Sequence, residues 1–167
     1  MRRLVPFITI VLLAFLVLLA VYARQRSPQP LDQPIVSLLQ CEECVAGELD
    51  SVVALGTSAV PTLAGLLIAG PSGESRQLME GYLRERYRDY VAYVTADSLL
   101  PLSMTEQEYV AEYAGNHVAR VRRRCALALS AIGGPEATHA LCEALRMDLR
   151  RDVRATILQA LGGSGAC

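Results

Sequence analysis

The chain has 167 residues, and 52% of them are hydrophobic, which is enough apolar material for a folded core. Its charged side chains nearly balance, to a net charge of −1, and all 16 cationic side chains are arginines. A nucleic-acid-binding surface needs a surplus of positive charge, so this composition argues against a nucleic-acid partner.

Residues 4–23 form an uninterrupted apolar segment, with Arg2 and Arg3 before it and Arg24 and Arg26 after it. As a helix, a segment of this length spans about 30 Å, which is the thickness of the hydrocarbon core of a bilayer. Two interpretations stay open, an uncleaved anchor within residues 1–23 and a signal peptide cut after Ala23. The apolar part of a signal peptide is usually only about 7–15 residues long, so the length favours the anchor.

The very short N-terminal tail and the charges of Arg2 and Arg3 favour a cytoplasmic N-terminus. We therefore expect a single-pass protein of a bacterial inner membrane, with its folded domain in the periplasm. Residues 24–34 contain three prolines and few apolar residues, and they predict an extended linker before a domain at 35–167.

Residues 35–69 show helical periodicity on both sides of Leu55-Gly56, and they predict a degenerate helical hairpin. Residues 70–116 interrupt this pattern with a long helix from Glu74 to about Asp97 and a second helix that begins at a Thr105/Glu108 capping box. The second helix either continues into the next segment or breaks at Gly115-Asn116.

The inserted helical pair at 70–116 holds six of the seven tyrosines. Tyrosine is amphipathic and often anchors protein interfaces, so we select four of these residues as candidate binding residues. The alternative is that the tyrosines of the insert pack against the solenoid with their hydroxyl groups at the edge. The four candidates are Tyr87, Tyr90, Tyr109 and Tyr113.

Residues 117–167 contain one pattern twice, starting at Val121-Arg122 and again 32 residues later at Val153-Arg154. A repeat of this length is typical of stacked supersecondary units. In the first copy the apolar residues recur at helical spacing up to Gly133-Gly134. Pro135 then opens a second helix, because its fixed φ suits a first helical turn.

The first copy resembles the pattern V-R-x-x-A-A-x-A-L-G-x-I-G-x-P-x-A of HEAT-like repeats of the phycobilisome-lyase type. The second copy resembles it less completely, since Ser164 stands where the pattern has Ile132, and it ends without a second helix. The resemblance implies a stack of helical hairpins, an α-solenoid, whose members mostly bind other proteins. It also implies that Arg122 and Arg154 are residues that pair between repeats.

Charge is divided unevenly along the chain. Residues 24–116 carry six arginines and thirteen acidic side chains (net −7), whereas residues 117–167 carry eight arginines and four acidic side chains (net +4). The arginines predict a face that binds a partner or an anion, the alternatives being a solvated surface or pairing with the acidic half. The candidate residues are Arg120, Arg122, Arg123, Arg124, Arg150, Arg151 and Arg154.

The five cysteines divide into three groups. Cys41 and Cys44 form a C-x-x-C motif without the context of a thioredoxin-like, haem or zinc site, which leaves a local disulfide or two reduced thiols. Cys125 and Cys142 lie equally far from the Gly133-Gly134 turn, so they predict a disulfide across the hairpin, or else two small buried side chains. Cys167 follows a glycine-rich segment and is a candidate for an intermolecular disulfide.

We therefore expect an all-α protein, in which one N-terminal transmembrane helix precedes a short α-solenoid of HEAT-like hairpins with the Tyr-rich helical pair inserted. No catalytic motif is visible, so we predict no enzyme activity, no cofactor and no metal. The expected function is a membrane-tethered scaffold or adaptor for a protein partner. The alternatives are a periplasmic thiol protein or small enzyme that uses Cys41 and Cys44, and a structural subunit that dimerises through its unfinished C-terminal repeat.

Overall fold

A computed structural model describes residues 33–40, 46–96, 102–162 and 167. The predicted anchor at 1–23 and nearly all of the linker at 24–34 lie outside these ranges. Within them the chain forms seven α-helices, no strand and one short 3-10 turn at Gly56–Ala59. The helices are α1 (Gln33–Gln40), α2 (Ala46–Val53), α3 (Val60–Ala69), α4 (Gly73–Ala96), α5 (Glu106–Ile132), α6 (Gly134–Leu145) and α7 (Arg151–Ala160).

Helix α5 is the centre of the fold, because it packs against each of the other six helices. Its C-terminal half is the first helix of the sequence motif, and that half carries three fully or almost fully buried alanines, Ala119, Ala126 and Ala128. Such small side chains allow neighbouring helices to approach closely. One buried cluster extends from Ile35 of α1 through α5 to Ile157 of α7.

The helices form two layers. Helix α5 contacts α2 on one side and α7 on the other, while α3 contacts α6 in the second layer. The α5–α6 hairpin thus packs against α2 and α3, and α7 extends the stack by one helix. Helices α2 and α3, where a hairpin was predicted, are joined by the 3-10 turn with a bend of 99° between them. This arrangement is consistent with the predicted α-solenoid.

The turn between α5 and α6 has the geometry that its glycines predicted. Gly133 (φ +70°) and Gly134 (φ +86°) both adopt left-handed conformations, which glycine tolerates because it has no Cβ. The Gly133 amide donates a hydrogen bond to the Leu129 carbonyl (2.9 Å) and closes the end of α5, and Pro135 lies in the first turn of α6. A tight hairpin follows directly from these local residues.

The inserted pair is not separate from the repeats. Helix α4 agrees closely with the long helix predicted from Glu74, and the capping box at Thr105 and Glu108 is present. However, α5 runs without a break from Glu106 to Ile132, so Gly115-Asn116 does not interrupt it and the boundary predicted at 116/117 falls inside this helix. The N-terminal part of α5 and α4 together form one long hairpin, here called the α4–α5 hairpin.

In the described part of the chain, no single helix has both the length and the apolar composition of a membrane span. One pair of helical segments, Gly47–Val53 and Gly56–Ala69, meets those criteria jointly, with a bend of 99° between them.

Candidate protein-interaction surface

The two arginines of the repeated motif have the same structural role. Arg122 Nη2 donates a hydrogen bond to the Ile68 carbonyl (3.0 Å) near the end of α3, and Arg154 Nη1 donates one to the Leu145 carbonyl (2.8 Å) at the end of α6. The last carbonyls of a helix have no partner within the helix, and a cation there also complements the helix dipole. Each arginine therefore caps the C-terminal end of a helix in the preceding repeat unit, α3 for Arg122 and α6 for Arg154.

Arg123 and Arg150 take part in contacts between α5 and α7. Arg123 forms an ion pair with Asp152 (3.2 Å), while Arg150 contacts Asp152 (3.2 Å) and donates a hydrogen bond to Asn116 Oδ1 (2.7 Å). Partial desolvation raises the pKa of Asp152, but the hydrogen bond from the Val153 amide and the charges of Arg150 and Arg123 outweigh it, so the pKa is lowered overall. Asp152 thus remains an anion between two arginines.

Arg120 and Arg124 lie on the side of α5 that carries His117. Arg120 Nη2 donates to His117 Nδ1 (3.2 Å), which places the proton of the neutral imidazole on Nε2. Burial, followed by the charges of Arg120 and Arg124, lowers the pKa of His117, so the ring is neutral at pH 7. Arg124 Nη1 donates to the Leu39 carbonyl (2.8 Å) at the end of α1.

The structure therefore engages six of the seven candidate arginines in contacts within the domain. The seventh, Arg151, is exposed and forms no side-chain hydrogen bond or ion pair with the described residues. Whether these arginines also bind a partner stays a prediction, but their contacts with α1, α3, α6 and α7 give them a role in holding the helices together.

Three of the four candidate tyrosines pack between α4 and α5, where Tyr87 is buried and Tyr90 and Tyr109 are half-buried. The ring centroids of Tyr87 and Tyr109 lie 5.4 Å apart, and those of Tyr90 and Tyr109 lie 6.0 Å apart. The Tyr87 hydroxyl donates to the Met104 carbonyl (2.9 Å), and the Tyr90 hydroxyl shares a hydrogen bond with Ser103 Oγ (2.9 Å). Their rings therefore join α4 to the N-terminal part of α5, within the inserted pair and not against the repeat helices, which was the predicted alternative.

Tyr113 continues this cluster toward the surface. Its ring lies 4.4 Å from that of Tyr109, yet 45% of the residue is exposed. The Tyr113 ring thus packs against the Tyr109 ring on one side and is open to solvent on the other. A side chain in this position is preorganised for contact, because ordering it on binding costs little conformational entropy.

The outer side of α4 carries exposed apolar residues that the sequence analysis did not select. Leu78 is 70% exposed, Tyr82 is 54% exposed and Tyr93 is 69% exposed. Because Tyr82 lies about one turn and Tyr93 about four turns beyond Leu78, they share one side of the helix, away from the buried Leu83, Tyr87 and Val94. The helical periodicity that predicted the buried residues of α4 also predicts that these three exposed residues lie together on another side of the helix. We call Leu78, Tyr82 and Tyr93 the hairpin face.

The cysteines pair differently from the prediction. Cys142 forms a disulfide with Cys167, and Cys125 is a free thiol with no exposed surface. Because Cys125 and Cys142 lie equally far from the turn, they lie at the same level along the two helices of the hairpin. However, Cys142 is only half-buried, and it lies about 100° around the α6 axis from the buried Leu141. The predicted Cys125–Cys142 disulfide is therefore wrong in this structure.

The free cysteine, Cys125, is an unreactive thiol. Burial raises the pKa of the Cys125 thiol to about 12, so it is protonated at neutral pH and fills its position as a small apolar side chain. Cys41 and Cys44 lie outside the described residues. Among the residues that the structure does describe, no group of three or more His, Cys, Asp or Glu side chains is arranged to hold a metal ion.

Residues 82–162 match the family model for HEAT repeats. The match begins within α4 and ends just after α7, so it includes most of the α4–α5 hairpin as well as both copies of the motif. It supports a HEAT-repeat assignment for this part of the chain, as the Val-Arg motif predicted. No curated protein and no solved structure matches the chain.

Proposed function

We propose that this protein is a membrane-tethered interaction module without catalytic activity, and that the hairpin face is where its protein partner binds. The observation that carries the proposal is the exposure of Leu78, Tyr82 and Tyr93 along one side of a well-packed helix. Exposed tyrosines on a rigid support are typical of the residues that dominate the binding free energy at protein interfaces, and Leu78 adds apolar surface beside them.

Two further points support a protein partner. HEAT repeats commonly mediate protein–protein contacts, and stacked hairpins present extended surfaces for them. The charged residues on and around the hairpin face have both signs, because Glu85 lies beside Arg86 and Asp89, which form an ion pair (3.6 Å). A complementary partner would therefore combine apolar side chains with polar or charged groups of either sign at the edge of its own surface.

The tether is the second part of the proposal. The apolar segment at 4–23 would hold the domain on the periplasmic side of a bacterial inner membrane and so raise its local concentration near membrane-bound partners. The closer resemblance to phycobilisome-lyase-type repeats belongs to the same proposal, and it depends on the motif that extends from Val121 to Ala137.

The proposal is tested by photo-crosslinking in the native membrane. A photoreactive amino acid placed at position 82 or 93 of the full-length chain should form a covalent product with one defined protein. The same amino acid at position 127 or 158 is the matched control, because Leu127 and Leu158 are similarly exposed (46% and 47%) but lie outside the α4–α5 hairpin.

A variant of the hairpin face tests its contribution to binding. With the photoreactive amino acid at position 93, Leu78→Ser combined with Tyr82→Ser should lower the yield of the crosslinked complex at least about tenfold, while Leu127→Ser with Leu158→Ser leaves it intact. Equal yields from the two variants, with both proteins folded, would reject the hairpin face. Crosslinking only at 127 or 158 would move the binding surface to the repeat layer.

A further inference from the structure

The Cys142–Cys167 disulfide encloses α7 in a covalent loop. The two cysteines are separated by 25 positions, and all of α7 lies between them. Cys142 is half-buried on α6, whereas Cys167 is exposed, so the bond is reachable from solvent on one side. The disulfide thus joins the chain beyond α7 to the hairpin on which α7 stacks.

Helix α7 depends on its neighbours for stability. It has ten residues, and isolated helices shorter than about 12–15 residues are marginal in water. It is held by the buried side chains of Val153 and Ile157, by the Arg123–Asp152 ion pair and by the hydrogen bond from Ser130 Oγ to the Ala160 carbonyl (3.0 Å). Most of these contacts are made with α5.

A disulfide that closes a loop mainly restricts the unfolded or opened states of that loop. With the bond intact, α7 can leave α5 only within a closed loop, and the opened state gains little entropy. Without the bond, the opened segment is no longer joined to α6 on its C-terminal side. The energy of local opening is therefore expected to depend on the redox state of this one cysteine pair.

We propose that the Cys142–Cys167 disulfide is a redox-sensitive staple that keeps α7 docked, and that its reduction by a dithiol promotes opening of α7 from α5. The opening uncovers the side of α5 on which Arg123 and Ser130 lie, and it releases Arg123 from Asp152. This proposal is independent of the hairpin face, which is on another part of the molecule's surface.

The redox step is ordinary thiol–disulfide exchange. A thiolate of the dithiol attacks the exposed Cys167 sulfur, a mixed disulfide forms, and Cys142 leaves as a thiolate that takes up a proton. The second thiol of the reductant then displaces Cys167, so the protein gains two thiols and the reductant becomes a cyclic disulfide. Cys125 does not compete, because its pKa of about 12 keeps it a thiol.

The test is hydrogen exchange followed by mass spectrometry on the full-length chain in detergent micelles, before and after addition of a dithiol. Amides of α7 should exchange at least about tenfold faster in the reduced protein, and reoxidation should restore the slow rate. Amides of α4 should be unchanged, which separates local opening from global loss of structure. Equal exchange in α7 in both redox states would overturn the proposal.

Two variants sharpen the test. Cys167→Ser should exchange like the reduced protein without any reductant, and Cys125→Ala should keep the difference between the two redox states. If Cys167→Ser does not fold, the reduced wild-type protein gives the same comparison. Peptide mapping without reductant should find Cys142 joined to Cys167, and Cys142 found free or joined to another cysteine would also overturn the proposal.

Discussion

At the scale of single residues, the motif arginines explain why a Val-Arg pair recurs. The valine packs into the core while the arginine reaches a helix-terminal carbonyl of the preceding repeat unit, at Ile68 for Arg122 and at Leu145 for Arg154. The two hydrogen bonds are equivalent, although Ile68 lies 54 positions before Arg122 and Leu145 only 9 positions before Arg154. A local motif therefore encodes a contact between repeats.

The first prediction concerns these arginines. Arg122→Met keeps most of the side chain but removes the charged donor, and it should lower the free energy of unfolding by about 1.5–3 kcal/mol. Arg154→Met should cost less, because its hydrogen bond is exposed and water can replace it. Arg151→Met is the matched control and should cost nothing measurable. Urea unfolding followed by circular dichroism measures all three, and equal midpoints for Arg122→Met and Arg151→Met would contradict the assigned role.

At the scale of elements, the α4–α5 hairpin is stabilised at its turn end by the capping box. The Thr105 amide and Oγ1 each donate to Glu108 Oε2 (2.8 Å), and Thr105 Oγ1 accepts from the Glu108 amide (3.3 Å). The backbone hydrogen bond from Thr105, with a smaller contribution from its hydroxyl, lowers the pKa of Glu108 below its usual value. The tyrosine cluster holds the two helices together farther along.

The second prediction follows from this cap. Thr105→Ala should destabilise the protein by about 1 kcal/mol, which is typical for loss of an N-cap side chain. The pKa of Glu108 should rise toward its usual value of 4.5 without reaching it, since the backbone donor remains. Because the folded pKa is lowered, the stabilisation by ionised Glu108 is present above the unfolded pKa and is lost as pH falls through the folded pKa.

An NMR titration of the Glu108 carboxyl carbon in the wild-type protein and in Thr105→Ala measures the shift. Gln107→Ala, an exposed position in the same helical turn, is the control and should leave the Glu108 pKa where it is. A Glu108 pKa that is the same in the wild-type protein and in Thr105→Ala would mean that the Thr105 hydroxyl does not contribute to the cap.

At the scale of the whole molecule, the central question is whether the helical domain is attached to a membrane. The domain is held together by α5, which makes the repeat layer and the α4–α5 hairpin parts of one body. A tether at residues 4–23 would therefore act on the hairpin face and the repeat layer together. The proposed adaptor function depends on that tether for its location but not for its binding surface.

The third prediction tests the tether. Leu12→Arg with Leu13→Arg places two charges in the middle of the apolar segment, each of which costs about 2.5–3.5 kcal/mol in a membrane helix. The protein should then leave the membrane fraction in an alkaline wash, while Gln25→Arg with Gln29→Arg, which adds the same charge outside the segment, stays. N-terminal sequencing distinguishes the two interpretations: an anchor keeps residues 1–23, and a cleaved signal peptide gives a mature protein that begins at Arg24.

The amino-acid sequence by itself determined most of the helices, the hairpin turn at Gly133-Gly134, the capping box and the repeated motif, but it did not predict α1 as a separate helix. These features are local: they follow from the spacing of apolar residues within a helix and from the φ angles that Gly and Pro adopt. The 32-residue repeat then indicated that hairpins stack on one another. This local consistency is why the boundaries of α4 and the closing glycines agree so closely with expectation.

Only the tertiary structure decided how the side chains of different helices meet. It paired Cys142 with Cys167 and left Cys125 in the core, it bound six of the seven candidate arginines within the domain, and it placed Tyr87 inside the hairpin while exposing Tyr82 and Tyr93. Each of these outcomes depends on how far one helix is rotated about its axis relative to its neighbour. The periodicity of a sequence gives the angular position of a residue around the axis of its own helix. It does not give the rotation of that helix about its axis relative to a neighbouring helix.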